Sequence, residues 1–217
     1  MHWWVSELLE KDPVFLISQV FWVIFSICLH ELGHGWMAIR LGDDTPIRTG
    51  HMTWNPLVHM GPVSLIMFAL TGITWGLMPI SPWKLRGRHG DAAVSFAGPA
   101  VNLILAGVCL VVLGAWIHYG RNASDQTYTN VWKFFTLGCS LNIFLMVFNL
   151  LPVPPLDGSR IAASFIPEYR RLTEHPNAGI AGIVFLGIVC SQLSTPLSSW
   201  VVPNVIHAGG WIAGKMP

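Results

Sequence analysis

Long stretches of this chain contain no Asp, Glu, Lys or Arg, and that feature decides what the chain can fold into. Segments 62–82, 92–117, 134–151 and 176–214 carry none, and 13–30 carries none before Glu31. A helix needs about 20 such residues to cross the hydrocarbon core of a bilayer. Charged residues make up only 11% of the 217 positions and hydrophobic ones 53%, against about 25% charged in soluble domains. So few charges cannot cover a water-exposed surface, and the chain reads as an integral membrane protein. A formal net charge of +1 with no basic tail excludes a nucleic-acid partner.

The four cysteines, Cys28, Cys109, Cys139 and Cys190, each sit inside an apolar stretch with no CxxC pair. They read as packing residues, which excludes a disulfide framework and a cysteine metal site. The N-terminus holds Glu7, Glu10 and Asp12 against Lys11 and has no small-residue cleavage site. It is expected to be an interfacial anchor carrying Trp3 and Trp4 rather than a cleaved leader.

The first helix is predicted to start at Asp12-Pro13, an N-cap followed by Pro at the first helical position, and to stop at Leu41 before Gly42. That length is roughly 43 Å at 1.5 Å per residue, enough to span the membrane. A polar segment of turn and strand-like character, 42–60, follows. Gly72, Gly76 and Pro79 weaken 62–82 as a straight helix. Pro196 and Pro203 are expected to divide 176–214 into one crossing near 178–193 and a second crossing or interfacial helix. The expected fold is an all-α polytopic membrane protein of about four to six transmembrane helices, with a re-entrant segment and a small strand/turn region after the first helix. One domain is expected over 1–217, with core motifs in 14–166 and C-terminal helices in 176–214.

Charge bias orients this fold. If 62–82 dips in and returns, eight of the twelve basic residues fall on one side: Arg40, Arg48, Lys84, Arg86, Arg88, Arg160, Arg170 and Arg171. If it crosses, the bias is weaker. The first arrangement fits the positive-inside rule better and makes that side cytoplasmic.

Within the first helix stands His30-Glu31-Leu32-Gly33-His34. Histidines at i and i+4 share a helix face, so both imidazoles can reach one metal ion. Glu31 stands beside them as a candidate general base toward a water at that metal. Ionisable residues inside an apolar span are costly and point to function; the plainer alternative is a helix end whose side chains reach interfacial water. A catalytic zinc site needs a third protein ligand. Most acids lie in polar segments, but Asp157 follows directly on an apolar helix in Asn149-Leu150-Leu151-Pro152-Val153-Pro154-Pro155-Leu156-Asp157-Gly158. The prolines there exclude helix and predict an extended chain, whose plainer reading is a loop turn with Asp-Gly at its tip. For one zinc to touch all three residues, both helices must run the same way, which again requires 62–82 to re-enter.

These motifs resemble the site-2 proteases, a family of intramembrane zinc metalloproteases. His30 to His34 match the family's zinc helix, and Asn149 to Gly158 match its NxxPxPxLDG motif. Gly50 to His59 resemble a G-R-x-x-x-NPLxH stretch, with His51 in the place of Arg, and Ala97-Gly98-Pro99-Ala100-Val101-Asn102 resembles AGPxxN. The resemblance implies one Zn2+ per chain held by His30, His34 and Asp157, with Glu31 as the base. It also implies Asn102 and Asn149 at the substrate backbone or oxyanion; the alternative for either is an interhelical hydrogen bond. His59 is expected to be structural or gating. The implied activity is hydrolysis of peptide bonds within or near transmembrane segments of membrane proteins, in a bacterial or archaeal cell membrane. The partners are then a transmembrane protein substrate, the lipid bilayer and a regulatory membrane partner. Segment 42–60 could offer a strand edge to an unwound substrate, and 62–82 could act as a gate.

Three rivals stand against this reading. A membrane di-iron oxygenase needs further His clusters, which the sequence lacks. A rhomboid-type serine protease needs a GxSG loop, and Gly138-Cys139-Ser140-Leu141 lacks the second glycine. A catalytically silent metal-binding scaffold of the same fold would not need Glu31. His2, His89, His118, His175 and His207 are expected at the interface, and Lys84, Arg86 and Arg88 at lipid headgroups.

Overall fold

The computed structural model describes residues 3–173, 175 and 177–216. Its helices are α1 (Trp4–Lys11), α2 (Pro13–Arg40), α3 (Thr45–Arg48), α4 (Pro56–Thr71), α5 (Gly90–Tyr119), α6 (Asp125–Asn149), α7 (Asp157–Phe165), α8 (Pro167–Thr173) and α9 (Ala178–Ala213). Among the described residues three of them, α2, α5 and α6, are long and apolar enough to cross a membrane. Their surfaces fit that environment. Ser26, Asn102 and Asn142 are wholly buried, whereas Leu103, Ile104, Val108 and Val111 of α5 face outward. Polar atoms inside and apolar side chains outside are what a lipid solvent selects.

Local chemistry sets the helix ends. Asp12 Oδ1 accepts the Phe15 N–H at 3.0 Å, and Pro13 occupies the first turn, as expected from sequence. The other Asp12 oxygen receives Lys133 Nζ at 2.5 Å, tying the start of α2 to α6. Gly42, at φ 99°, turns the chain after α2. Ser124 caps α6, which therefore begins nine residues ahead of the apolar run predicted from 134.

Segment 42–60 differs from expectation. Among the described residues it holds turns, α3 and the start of α4, and no strand. Local turns rather than a ladder satisfy most of its backbone, as where His51 N–H reaches the Pro46 carbonyl at 2.9 Å, while buried Asp43 accepts Thr45 N–H at 3.0 Å, Thr45 Oγ1 at 2.5 Å and Ser81 N–H at 2.6 Å. Asn55 caps α4 by accepting the Leu57 N–H, with Pro56 in the first turn. The strand edge expected there for a substrate therefore has no strand to rest on.

Segment 62–82 goes out and comes back. Helix α4 carries the chain away until Ala69, whose carbonyl accepts the indole N–H groups of Trp3 and Trp4. Gly72, at φ 77°, reverses it, and 73–80 returns without helix. Trp75 N–H donates to Ser64 Oγ at 2.9 Å and Leu77 N–H to the His59 carbonyl at 2.8 Å, so the returning chain runs beside α4. Ser81 then meets Asp43 at the end of α2 from which the excursion began.

Helix α9 also departs from the sequence reading. It runs unbroken from Ala178 to Ala213 rather than dividing at its prolines, because packing holds it where propensity would release it. Gly182 lies against the Pro154 carbonyl, and Gly209 against Leu113 of α5. Val201 and Val205 join Trp22, Ala106, Cys109, Leu113 and Cys139 in the main apolar cluster. Cys28, Cys109 and Cys139 are buried free thiols; the side chain of Cys190, and His2, lie outside the described residues.

Asp43 is the polar bolt between the α2 end and the returning segment. Burial alone would push its carboxyl up, but the hydrogen bonds from Thr45 and Ser81, with Lys84 beside them, outweigh this and hold it below 3.8. Asp43→Ala is expected to destabilise the fold by about 3 kcal/mol through the stranded N–H donors, read as a lower unfolding temperature in detergent. Since the folded carboxyl titrates below the unfolded one, the advantage of the native chain over Asp43→Asn is full above pH 3.8 and disappears as pH falls through the folded value.

Candidate metal centre

Helix α2 brings His30 and His34 onto one face, with ring centroids 4.6 Å apart and planes at 85°. Their Nε2 atoms are 3.0 Å from each other. Asp157 Oδ2 lies 3.2 Å from His30 Nε2 and 3.3 Å from His34 Nε2. Among the described residues these three form a group whose donor atoms lie within 4.8 Å of one another. All three are largely buried.

Asp157 arrives there as the first residue of α7. Segment 150–156 is a compact series of turns rather than the extended chain expected from its prolines: Val153 N–H reaches the Leu151 carbonyl and Leu156 N–H the Val153 carbonyl. Gly158 fits beneath the end of α6, where a Cβ would sit 2.3 Å from the Leu150 oxygen. The Arg160–Asp91 ion pair at 2.6 Å fastens α7 to the first turn of α5. The Asp-Gly pair is thus a helix start clamped between α5 and α6, which aims the carboxylate at α2.

The donor set fits a divalent cation. His34 Nδ1 is 2.7 Å from the Val94 carbonyl, which can only accept, so Nδ1 carries the proton and Nε2 presents a lone pair. His30 Nδ1 is 2.6 Å from Asn102 Oδ1, again an acceptor. With both rings neutral, two imidazole lone pairs and a carboxylate oxygen converge on one point, the arrangement a shared cation relieves. Nitrogen and oxygen ligands of this kind suit zinc. The backbone of α5 leaves the room: a Cβ on Gly98 would lie 2.5 Å from His34 Nε2 and 2.6 Å from His30 Nε2. Gly33 of α2 permits that approach, since a Cβ there would meet Val101 at 2.8 Å.

Glu31 is buried beside the two histidines, and the returning segment passes directly over it. A Cβ on Gly76 would be 2.3 Å from Glu31 Oε1. Asn102 is fully buried, with its oxygen on His30 and its nitrogen on Asn142. Asn149 Nδ2 donates to the Leu145 carbonyl of its own helix at 3.0 Å. His59 Nε2 donates to the Thr53 carbonyl at 2.6 Å, in keeping with a structural role. Sequence reasoning named Gly98 within the AGPxxN stretch and Gly76 as a weak point of 62–82 without placing either at the centre, and it passed over Asn142. An amide in the middle of an uncharged helix was the available signal for Asn142; the glycines gave none, because a close approach is a property of two segments.

Gly98→Ala is expected to lower divalent-metal affinity at this centre by about tenfold or more, with helical content retained. Equilibrium dialysis with zinc, alongside circular dichroism, checks it.

Known proteins align with this arrangement. The pattern of peptidase family M50 matches residues 115–191, which include Asp157 but not the His30–His34 motif. The chain is 35% identical over 189 residues to a Bacillus subtilis protein named "Putative zinc metalloprotease YwhC", covering 86% of this chain and 84% of that protein. It is 30% identical over 194 residues to "Putative zinc metalloprotease Rip2" of Mycolicibacterium smegmatis, covering 86% and 70%. The Rip2 protein of Mycobacterium tuberculosis strain H37Rv is 28% identical over 210 residues, covering 92% and 76%. No solved structure matches the chain. With a centre built from His30, His34 and Asp157 inside a bundle of apolar helices, and a relative this similar over most of both lengths, the chain belongs to peptidase family M50, the site-2 proteases.

Proposed function

We propose that this chain is a zinc endopeptidase that hydrolyses peptide bonds within or beside transmembrane segments of membrane proteins, as one domain over 1–217. The convergence of His30 Nε2, His34 Nε2 and Asp157 Oδ2 next to a buried Glu31 carries this reading. His30, His34 and Asp157 would hold the zinc, which when bound polarises a peptide carbonyl and acidifies water. The residues of the chain do the rest. Glu31 takes the proton of the attacking water as the new C–O bond forms and delivers it to the nitrogen of the departing amine, whose C–N bond then breaks. Gly76 keeps backbone close over the Glu31 carboxylate, which limits bulk water at the proton-transfer site. A substrate helix hides its carbonyls in hydrogen bonds, so its scissile region must unwind before it reaches Glu31.

The active site lies toward the cytoplasm in this reading. Lys84 pairs with Asp44, Arg86 N–H with the Leu41 carbonyl, and Arg160 with Asp91, all at the end of α2 that carries the HExxH motif. Lys133 pairs with Asp12 at the other end. The basic residues therefore gather on the metal-centre side, as the positive-inside rule requires of a cytoplasmic face.

Two substitutions test the assignment. Glu31→Gln is expected to keep zinc and reduce cleavage of transmembrane substrates in detergent by about 10²- to 10⁴-fold, the worth of a general base. His34→Ala is expected to lose both zinc and cleavage, and a chelator should reproduce that loss in the native chain. Equal cleavage by the native and Glu31→Gln proteins would remove Glu31 from the mechanism.

A further inference from the structure

A backbone carbonyl in α6 settles which nitrogen of His30 carries a proton. The carbonyl oxygen of Gly138 can only accept, so the Asn142 side-chain atom 2.9 Å from it is the amide nitrogen. The second N–H of that nitrogen reaches Ser26 Oγ at 2.9 Å. The Asn142 oxygen is therefore turned toward α5, where it accepts from Asn102 Nδ2 at 3.0 Å. Asn102 must then present its own oxygen to His30, 2.6 Å from Nδ1. An oxygen there obliges Nδ1 to donate, so in the neutral ring Nε2 is the nitrogen whose lone pair faces Asp157. Reversing Asn142 would set its oxygen against the Gly138 carbonyl, and reversing Asn102 alone would set its oxygen against that of Asn142.

We propose that Asn142, anchored by the Gly138 carbonyl and Ser26, is a positioning residue that fixes His30 Nδ1 as a donor through Asn102. The circuit leaves α2 at Ser26, crosses α6 and α5, and returns to α2 one turn later at His30. Ser26, Asn102 and Asn142 are each 0% exposed, so no solvent competes for these bonds. In an apolar span the amide of Asn142 has no cheaper partner outside the bundle. A ring nitrogen locked as donor holds the opposite nitrogen in the form that binds metal, and losing such a support weakens metal binding by about 10- to 100-fold. That consequence rests on the function proposed above; the protonation of Nδ1 does not.

The test uses the full chain in detergent with ¹⁵N-labelled histidine, as native, Asn142→Leu, Asn102→Leu and the double variant. His30 is assigned by the signal lost in His30→Gln. The native chain should show a slowly exchanging Nδ1–H proton on His30 with and without zinc. Asn142→Leu, at native helicity, should speed that exchange and lower zinc affinity by about tenfold or more. In the Asn102→Leu background, Asn142→Leu should add almost nothing, since the two amides act as one unit. Asn142→Ala carries the same expectation if Asn142→Leu does not fold. Native exchange at His30 in a folded Asn142 variant overturns the proposal. So does an affinity loss that is the same with and without the Asn102 amide, because it would reflect packing alone. Zinc bound equally by native and His30→Gln proteins would instead defeat the metal assignment, and the exchange measurement on zinc-free protein would still decide the role of Asn142.

Discussion

A polar group carried into an apolar phase must find its partner inside the protein, and the structure is arranged around that demand. Helix α2 carries Ser26, His30, Glu31 and His34 into the bundle, where all are buried. The partners of Ser26, His30 and His34 come from three other elements: Asn102 and the Val94 carbonyl on α5, Asn142 on α6 and Asp157 on α7. The same bonds that satisfy these groups fix how the helices sit against one another. Apolar packing adds little direction between helices in lipid, since lipid tails are as apolar as leucine. Hydrogen bonds and close backbone contacts therefore specify the assembly.

Glycines supply the second half of that specification. Gly33 and Gly98 let α2 and α5 approach until the two imidazoles lie beside the α5 backbone, and Gly138 receives the ring of Trp22. Gly158 seats α7 on the end of α6. Each removes a side chain where two backbones or a ring must meet. The Gly72 reversal brings the returning segment over Glu31, so this carboxylate is covered by a part of the chain remote from its own helix. The site is buried at the histidines and bounded by irregular backbone on the Glu31 side.

Much of this was legible in residue order. The start of α2 at Asp12-Pro13 and its end at Gly42 followed from capping chemistry, and the pairing of His30 with His34 from the period of a helix. The polar, interrupted sequence of 42–60 argues for strand-like character; local turns take most of its N–H groups instead, and the buried Asp43 carboxylate ties its start to Ser81. The prolines of 176–214 were read as breaks because propensity argues that way, yet contacts at Gly182 and Gly209 hold α9 as one helix. There a tertiary contact outweighed a local preference.

The sequence by itself determined that the chain lives in a membrane, that α2 offers two imidazoles and a carboxylate on one helix, and that Asp157 was the acid to complete them. Those conclusions depend on charge, period and composition, which are properties of neighbours along the chain. Only the tertiary structure decided that 62–82, expected from charge to re-enter, closes on Asp43 through Ser81, that Gly98 and Gly76 border the centre, and that the Asn102 amide is spent on His30 and Asn142. Each of these is a distance between residues far apart in sequence. Hydrogen-bond direction and backbone approach are settled only when helices meet.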